Sequence, residues 1–398
     1  MHYLWLIWLV PVIRFTWTLY CVIRHRHHMV CRSLEYTLNP GVHLIFRITT
    51  NGKAIRCVDA SVRFLKSTLQ SFAGNFSIEI VTDEGNWVGY ERGTKVLVCP
   101  NSFVCNAKNK ARTMHFAAKQ MEERGEDLTS IWVLHLDDES IVTEQCLGSI
   151  IHHINSGGEG IAEGWIIYPR KFSKGSIFST LADCIRPPGC YECRELLDRK
   201  LVTHMHGSNL LIRADIESRI GWEFDSIAED SVFGITAIEL GYKIGWHGGV
   251  LEEQPVFSIG DLFKQRRRWF HGQLVNIAAL PMPFKLRILI AFELFGWWLG
   301  FPSAVLSLVV LIGSIFVPSL EPHIPLGFRI FLIPGTLMWI FSYQIGAFYN
   351  ARMLDKSTRI LTHLAALLFL PIVSLVEVLP VFAFSLAPRK FHTVQKVD

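Results

Sequence analysis

The sequence lacks two features that mark common classes of protein. It has no dense stripe of basic residues, and its formal net charge is only +4 over 398 residues. Proteins that bind nucleic acid concentrate lysine and arginine on one face, so we predict no nucleic-acid partner. Its nine cysteines are scattered without the framework of a small disulfide-stapled scaffold, which suits a reducing compartment.

The cysteines also lack the paired spacing of a common zinc site. Cys190-x-x-Cys193, with Cys184 before it and His204 and His206 after it, offers ligands of the right type. Because a second correctly spaced pair is missing, zinc is the weaker interpretation of this segment.

Charged residues are scarce as well. They make up 19% of the chain against 50% hydrophobic residues, and the mean hydropathy is +0.29, which is too apolar for an ordinary soluble protein. The apolar excess lies at both ends of the chain. We predict an N-terminal membrane anchor at 1–23, a catalytic domain at 30–280, C-terminal transmembrane helices at 286–386 and a short polar tail at 387–398.

The apolar run at 3–23 is about long enough to cross a bilayer. Arg24, Arg26 and Arg32 follow it, whereas almost no charge precedes it, so the positive-inside rule predicts that the domain after it is cytosolic. A cleaved signal peptide is the alternative, but a basic region before the run is missing.

Three apolar stretches near the C-terminus, at 288–317, 328–350 and 358–386, are each long enough to span a membrane. Glu293 and Glu377 interrupt the first and the last of these stretches. The number of C-terminal spans therefore stays open.

From Val42 onward, β-rich runs alternate with amphipathic helical runs, which predicts an α/β fold with a Rossmann-like, mostly parallel sheet. The predicted strands are Val42–Ile48, Phe76–Val81, Thr94–Val98 and Ile131–Leu136, with helices at 59–72 and 106–124. Ligands bind beyond the carboxyl ends of such strands, so residues 42–140 form the predicted nucleotide-binding half.

Polar side chains follow three of these predicted strands. Thr49 follows the first, Asp83 the second, and Asp137-Asp138-Glu139 the last. A single aspartate after a strand is usually a turn former, but three adjacent acids repel one another and favour a divalent cation that holds a phosphate. The motif Lys108-x-Lys110-x-Arg112 opens the preceding helix and is a candidate for the diphosphate or base of a nucleotide, with Lys108 and Arg112 assigned to that role.

The second half of the domain, at 160–280, is less regular. We predict a strand at Glu163–Pro169 and a strand, turn and strand over Thr203–Ala214. Gly207, Ser208 and Asn209 form the turn and would place small polar groups near an acceptor.

Two acids and a basic helix complete the candidates. Glu229 and Asp230 begin a helix, where acids complement the macrodipole, but a carboxylate there can also act as a general base. Leu262–Ile277 is a basic and aromatic amphipathic helix, typical of a membrane surface, and it contains Gln265-x-x-Arg268-Trp269.

Taken in order, these motifs resemble those of the inverting glycosyltransferases of family 2, which have the GT-A fold. The matching motifs are Asp83, Asp137-Asp138-Glu139, Ala228-Glu229-Asp230 and Gln265-x-x-Arg268-Trp269. The segments HLDDES, GSNLLIRADIE, AEDSVFG and QRRRWFHGQ, with the flanking apolar runs, further resemble the Egghead-type β-1,4-mannosyltransferases of animals. That resemblance implies transfer of mannose from GDP-mannose to glucosylceramide in glycosphingolipid assembly, at endoplasmic reticulum or Golgi membranes.

The resemblance also implies a role for each motif. Asp230, with Glu229, would be the catalytic base, and Asp137 and Glu139 would bind Mn²⁺ or Mg²⁺. The implied contacts to the nucleotide sugar are Thr49, Asp83, Lys108, Arg112, Asp138, Gln265, Arg268 and Trp269. The implied contacts to the acceptor are Gly207, Ser208, Asn209 and Trp269.

Two departures from the family pattern stand out. Arg47-Ile48-Thr49-Thr50-Asn51 replaces the usual Pro-x-x-Asn/Tyr after the first strand. The acidic cluster is D-D-E rather than D-x-D, so which of its three carboxylates bind the metal stays open.

Two other functions compete with this prediction. A processive synthase of the chitin, hyaluronan or cellulose type shares the same motifs, although its polymer tunnel needs more spans than we predict here. A non-catalytic membrane scaffold or transporter is the other alternative, and the acids at every expected position argue against it.

Overall fold

The computed structural model describes residues 3, 5–85, 90, 93–169, 176–316, 326–352 and 354–384. The predicted polar tail at 387–398 lies outside these residues. The chain divides into two compact units. The sheet unit consists of His27–Ile166 and Cys193–Gln254, and the helical unit consists of the described residues up to Arg26, Ile167–Glu192 and those from Pro255 onward.

Eight strands form one sheet within the described residues. They are β1 (His43–Thr49), β2 (Asn75–Asp83), β3 (Lys95–Cys99), β4 (Ile131–Leu136), β5 (Ile141–Val142), β6 (Ile161–Ile167), β7 (Leu210–Arg213) and β8 (Ile244–Glu252). Their order across the sheet is β3-β2-β1-β4-β7-β6-β8-β5. The predicted α/β fold class is therefore confirmed.

The parallel arrangement is confined to one half of the sheet. Strands β1 to β4 pair in parallel, whereas β7 pairs antiparallel with both β4 and β6, and β5 pairs antiparallel with β8. The sheet is therefore mixed rather than mostly parallel. The regular β–α alternation that predicts parallel strands stops after β4, and the later connections return strands in the opposite direction.

The helices surround the sheet or form the apolar unit. They are α1 (Leu6–His25), α2 (Ile55–Leu69), α3 (Asn109–Glu123), α4 (Glu144–Asn155), α5 (Ile177–Ala182), α6 (Arg186–Asp198), α7 (Ala214–Ile220), α8 (Glu229–Glu239), α9 (Ile259–Ala279), α10 (Phe284–Phe316), α11 (Leu326–Ala351), α12 (Lys356–Leu368) and α13 (Leu370–Phe384). In α2, Val58, Val62 and Leu65 recur at helical spacing and are all buried, which explains why this segment packs as a helix.

The region before β7 differs from its prediction. Only Leu210–Arg213 is a strand, and the segment from Thr203 to Asn209 is irregular. A strand was predicted before the turn that contains Gly207 and Asn209, but no strand forms there; the turn itself is present, with Asn209 in a left-handed backbone at a φ of 55°.

The helical unit contains the candidate membrane spans. Among the described residues, Leu6–His25 and Phe284–Val310 are long and apolar enough to cross a membrane. Helices α12 and α13 meet at a bend of 68° and count as a third candidate only if the bent pair is one span.

A buried guanidinium cross-links the parallel half of the sheet. Arg47 on β1 donates to Glu79 on β2 at 3.0 Å and to Glu217 on α7 at 3.1 Å. His135 on β4 lies 3.0 Å from Glu217, to which Trp222 also donates at 2.8 Å. Burial raises the pKa of Glu217, but Arg47 and His135 outweigh it and hold that pKa at about 2. The carboxylate therefore stays charged inside the fold.

We expect Arg47→Met to destabilise the sheet unit by about 3–5 kcal/mol, because removing one partner leaves buried carboxylates without their cation. Chemical denaturation of the detergent-solubilised protein measures the change. Arg63→Met, on the exposed face of α2, is the matched control and should stay within about 0.5 kcal/mol of wild type. Equal stabilities of the two variants would contradict the role of Arg47.

Candidate functional site

The polar ends of three parallel strands meet at one edge of the sheet. Thr49 at the end of β1 pairs in register with Val81 on β2, and Ile48 pairs with Leu136, the last residue of β4. Asp83 ends β2, and Asp137 directly follows β4. The structure therefore brings Thr49, Asp83 and Asp137 to the same edge, as the parallel strands predicted.

Asp83 and Arg112, which were both selected from the sequence, form an ion pair. Arg112 Nη1 donates to Asp83 Oδ1, and its Nη2 donates to the carbonyl of Phe103 at 3.1 Å. Partial burial raises the pKa of Asp83, although Arg112 opposes the rise. The pair places a fixed guanidinium at this edge of the sheet.

Lys110 belongs to the predicted Lys108-x-Lys110-x-Arg112 motif but was not itself assigned a role. Its Nζ donates to Asp137 Oδ1 and, at 2.8 Å, to the carbonyl of Gly207. Burial lowers the pKa of Lys110, but the carboxylates of Asp137, Glu229 and Asp230 outweigh burial and raise it overall. The ammonium is therefore charged at neutral pH and lies among three acids.

Lys108 does not take the position predicted for it. Its side chain is 70% exposed and pairs with Asp225 at 2.7 Å. Helix α3 begins at Asn109, so Lys108 lies in extended backbone before the helix while Lys110 lies in its first turn. The motif Lys108-x-Lys110-x-Arg112 contained the signal, but only the helix start decides which lysine faces the acids.

The three adjacent acids differ in exposure. The Asp137 side chain is 38% exposed, whereas Asp138 and Glu139 are 8% and 4% exposed as residues. The Asp137 backbone N–H donates to Ser140 Oγ at 3.0 Å, which fixes the turn after β4. Asp137 is therefore the acid of this cluster most open to an incoming ligand.

Asp230 begins α8 together with Glu229, as predicted. The backbone N–H of Ser231 donates to Asp230 Oδ1 at 2.7 Å. The other oxygen, Oδ2, faces Gly207, where a Cβ would lie 3.2 Å from it and 3.3 Å from Lys110 Nζ. Because Gly207 has no side chain, the Asp230 carboxylate and the Lys110 ammonium can both approach this part of the backbone closely.

Ser208 and Asn209 are structural in this fold. Ser208 donates to Glu253, and Asn209 Nδ2 donates to the carbonyls of Trp165 and Gly249, each at 3.0 Å. Their side chains are buried, which contradicts the prediction that they face an acceptor. Of the three predicted acceptor residues in this turn, only Gly207 adjoins Asp230.

The remaining predicted residues lie on α9 in the helical unit. Gln265 Oε1 accepts from the buried Arg266, which also binds Glu377 at 2.8 Å and Asp183 at 2.7 Å. The guanidinium carbons of Arg186 and Arg266 each lie 4.7 Å from the centre of the Trp269 ring. Arg268 follows Arg267 on the same helix.

Arg266 and Glu377 were not selected as site residues. The sequence suggested that the arginines of α9 face lipid headgroups, but Arg266 is fully buried and shared by two carboxylates. Glu377 is an acid within an apolar run, and its partner is this buried arginine. The pair therefore gives Glu377 a role in packing the helical unit.

Comparison with known proteins identifies a family. Residues 132–350, more than half of the chain, match the family described as glycosyl transferase family group 2. The β-1,4-mannosyltransferase egh of Drosophila melanogaster is 26% identical over 64% of this chain and 57% of its own length. The β-1,4-mannosyltransferase bre-3 of Caenorhabditis elegans is 24% identical over 85% of this chain and 75% of its own length. The match thus spans less than two thirds of the fly protein.

A solved structure is also similar. The mannosyltransferase PcManGT of Pyrobaculum calidifontis, in complex with GDP-Man and Mn²⁺, aligns with 94% of this chain and 96% of its own. Its sequence identity is 11% and its TM-score is 0.49.

We expect Lys110→Met to lower the free energy of unfolding by about 1–3 kcal/mol, because Asp137 and the carbonyl of Gly207 lose a charged donor. Lys108→Met is the control on the same segment, and its exposed ion pair should contribute no more than about 1 kcal/mol. Denaturant titration of both variants measures the difference. A larger loss for Lys108→Met would contradict the assignment of Lys110.

Proposed function

The chain belongs to glycosyl transferase family group 2, as its motifs predicted, and we propose that it transfers mannose from GDP-mannose to glucosylceramide. The new linkage is β-1,4, and the configuration at the anomeric carbon is inverted. The coarser assignment, a family-2 glycosyltransferase, follows from the family match. The mannose donor and the lipid acceptor belong to the proposal.

One observation carries the proposal. The carboxylates of Asp137 and Asp230, on two separate elements, face the same lysine ammonium beside the side-chain-free Gly207. Inverting transfer needs a base for the acceptor hydroxyl and a second region that neutralises the leaving diphosphate. Asp230 is placed to act as the base, and Asp137 is placed to hold the cation that neutralises the diphosphate.

Asp230 is the proposed base. Its Oδ1 accepts a hydrogen bond from the Ser231 N–H, while Oδ2 faces the side of Gly207 from which a side chain would project. An acceptor hydroxyl that enters over Gly207 meets Oδ2, which accepts its proton as the oxygen attacks the sugar carbon. Since the attack occurs in line with the departing diphosphate, no covalent glycosyl-enzyme forms, and one base is sufficient. Glu229 adds negative charge beside Lys110.

The residues after β4 fit a divalent cation. Carboxylate oxygens are the ligands that Mg²⁺ and Mn²⁺ prefer, and the half-exposed Asp137 already attracts the ammonium of Lys110. We propose that Asp137 and Glu139 hold the cation and that Asp138 supports the nucleotide sugar. When bound, the cation neutralises charge on the leaving diphosphate. Lys110 and Arg112 supply the fixed positive charges of the protein itself.

Other residues remain proposed contacts to the substrates. Thr49 and the Asp83–Arg112 pair lie at the nucleotide end of the sheet. Gln265, Arg268 and Trp269 on α9 are proposed to contact the nucleotide sugar, and Trp269 also the acceptor. The guanidinium groups of Arg186 and Arg266, each 4.7 Å from the ring centre, hold the Trp269 ring in one orientation.

The names of the fly and worm proteins support mannose as the transferred sugar, and the candidate spans support a lipid acceptor. Membranes containing glucosylceramide, incubated with labelled GDP-mannose, should yield a lipid that carries one added mannose. UDP-glucose, UDP-N-acetylglucosamine and GDP-fucose serve as competing donors. A ladder of polymer would instead identify a processive synthase, and transfer from another donor alone would overturn the choice of sugar.

Two variants separate the roles of the acids. We expect Asp230→Asn to lower kcat roughly 10²–10⁴-fold while nucleotide binding stays near normal, because only the base is lost. Asp137→Asn should instead weaken metal-dependent GDP binding at least about tenfold. Asp225→Asn, in an exposed pair with Lys108, is the control for both. Wild-type turnover of Asp230→Asn would remove the base assignment.

We further propose a multi-pass protein of endoplasmic reticulum or Golgi membranes, with the domain at 30–280 in the cytosol between an anchor at 1–23 and helices at 286–386. Arg24 and the basic residues after α1 support this orientation. Asn75, in an Asn-Phe-Ser sequon, is exposed and tests it. In microsomes the chain should keep the same mass after glycosidase treatment, whereas removal of a glycan from Asn75 would put the domain in the lumen.

A further inference from the structure

A cysteine and two histidines converge in the sheet unit, outside the carboxylate cluster. Cys193 on α6 and His204 and His206, in the irregular segment before β7, offer ligand atoms that all lie within 4.8 Å of one another. Cys193 Sγ is 3.1 Å from His204 Nε2. In a tetrahedral zinc site, sulfur and nitrogen ligands are separated by about 3.5 Å, so only small shifts are needed to admit the ion.

Neighbouring oxygen atoms hold the two histidines in position, one at the ring of His204 and one at the backbone of His206. Thr203 Oγ1 lies 3.3 Å from His204 Nδ1, which leaves Nε2 directed at Cys193. Glu163 Oε1 accepts from the His206 backbone N–H at 2.6 Å, which fixes the backbone of that residue. Metal-binding histidines characteristically have an oxygen partner that fixes the ring, as Thr203 does for His204.

We propose that Cys193, His204 and His206 bind one Zn²⁺. A thiolate and two imidazoles are the softer donors that select zinc, in contrast to the carboxylates around Asp137. Binding releases the thiol proton of Cys193 to solvent, and the fourth tetrahedral position is filled by water. The ion is distinct in place and chemistry from the one proposed for the diphosphate.

The zinc ion would fix the backbone that forms the acceptor entrance. His206 directly precedes Gly207, whose carbonyl accepts from Lys110 and whose open side faces Asp230 Oδ2. Joining His204 and His206 to Cys193 on α6 therefore anchors this irregular segment one residue before the proposed site of attack. The site acts by positioning Gly207, and its existence does not depend on which sugar or lipid the enzyme uses.

Metal binding by the full-length protein in detergent tests the proposal. After chelation and dialysis, the wild type should take up about one zinc ion from ZnSO₄ that excess Mg²⁺ does not displace. Cys193→Ser and His204→Ala should lose that ion, while the control Cys57→Ser, at another buried cysteine, and His152→Ala keep it. Retention of zinc by Cys193→Ser, or no uptake by the wild type, would overturn the proposal.

Two measurements on the wild type guard against variants that fail to fold. X-ray absorption at the zinc edge should find one sulfur at about 2.3 Å and nitrogens at about 2.0–2.1 Å, whereas a shell of oxygen alone would exclude this site. Hydrogen exchange should slow for the amides of residues 203–209 when zinc is added. Unchanged exchange there would refute the positioning of Gly207 even if zinc binds, and neither result depends on transferase activity.

Discussion

The charge of one buried guanidinium underlies the arrangement of the sheet unit. Arg47 on β1 is shared by Glu79 on β2 and Glu217 on α7, and His135 on β4 contacts the same Glu217. A buried charge is tolerated only when partners surround it, so these elements must keep the register that brings the partners together. That register brings the carboxyl ends of β1, β2 and β4 to one edge, where the candidate site is built.

At this edge of the sheet the unbalanced charge is negative. Asp137, Glu229 and Asp230 repel one another across a small space, and Lys110 offsets this repulsion with a single ammonium. A phosphate-bearing ligand at this edge would add further negative charge and would favour a second cation there. In the structure, Lys110 is the cation that Asp137 binds.

Much of this arrangement was predictable, and the limits have physical reasons. Parallel strands with polar ends predicted the common edge, so Asp83 and Asp137 could be selected from residue type and position, whereas Asp230 at the start of α8 was assigned through the family motif. The motif Lys108-x-Lys110-x-Arg112 did not decide which lysine lies beside the acids, because that depends on the residue at which α3 begins, and helix ends are weakly specified by sequence. Arg47, an apparent departure from the family pattern, is a structural partner of two acids that lie far from it in sequence.

Prediction from the local sequence pattern failed most clearly in the irregular segment before β7. Thr203 to Asn209 was predicted as a strand followed by a turn with polar groups near an acceptor, yet Ser208 and Asn209 use their side chains to bind Glu253 and backbone carbonyls of the sheet unit. Those buried contacts follow Gly207 in the chain, and His204 and His206 precede it. Between them Gly207 contributes no side chain at all. The surface beside Asp230 is therefore shaped by the backbone position of Gly207, and residue type alone predicts side-chain contacts poorly at such a place.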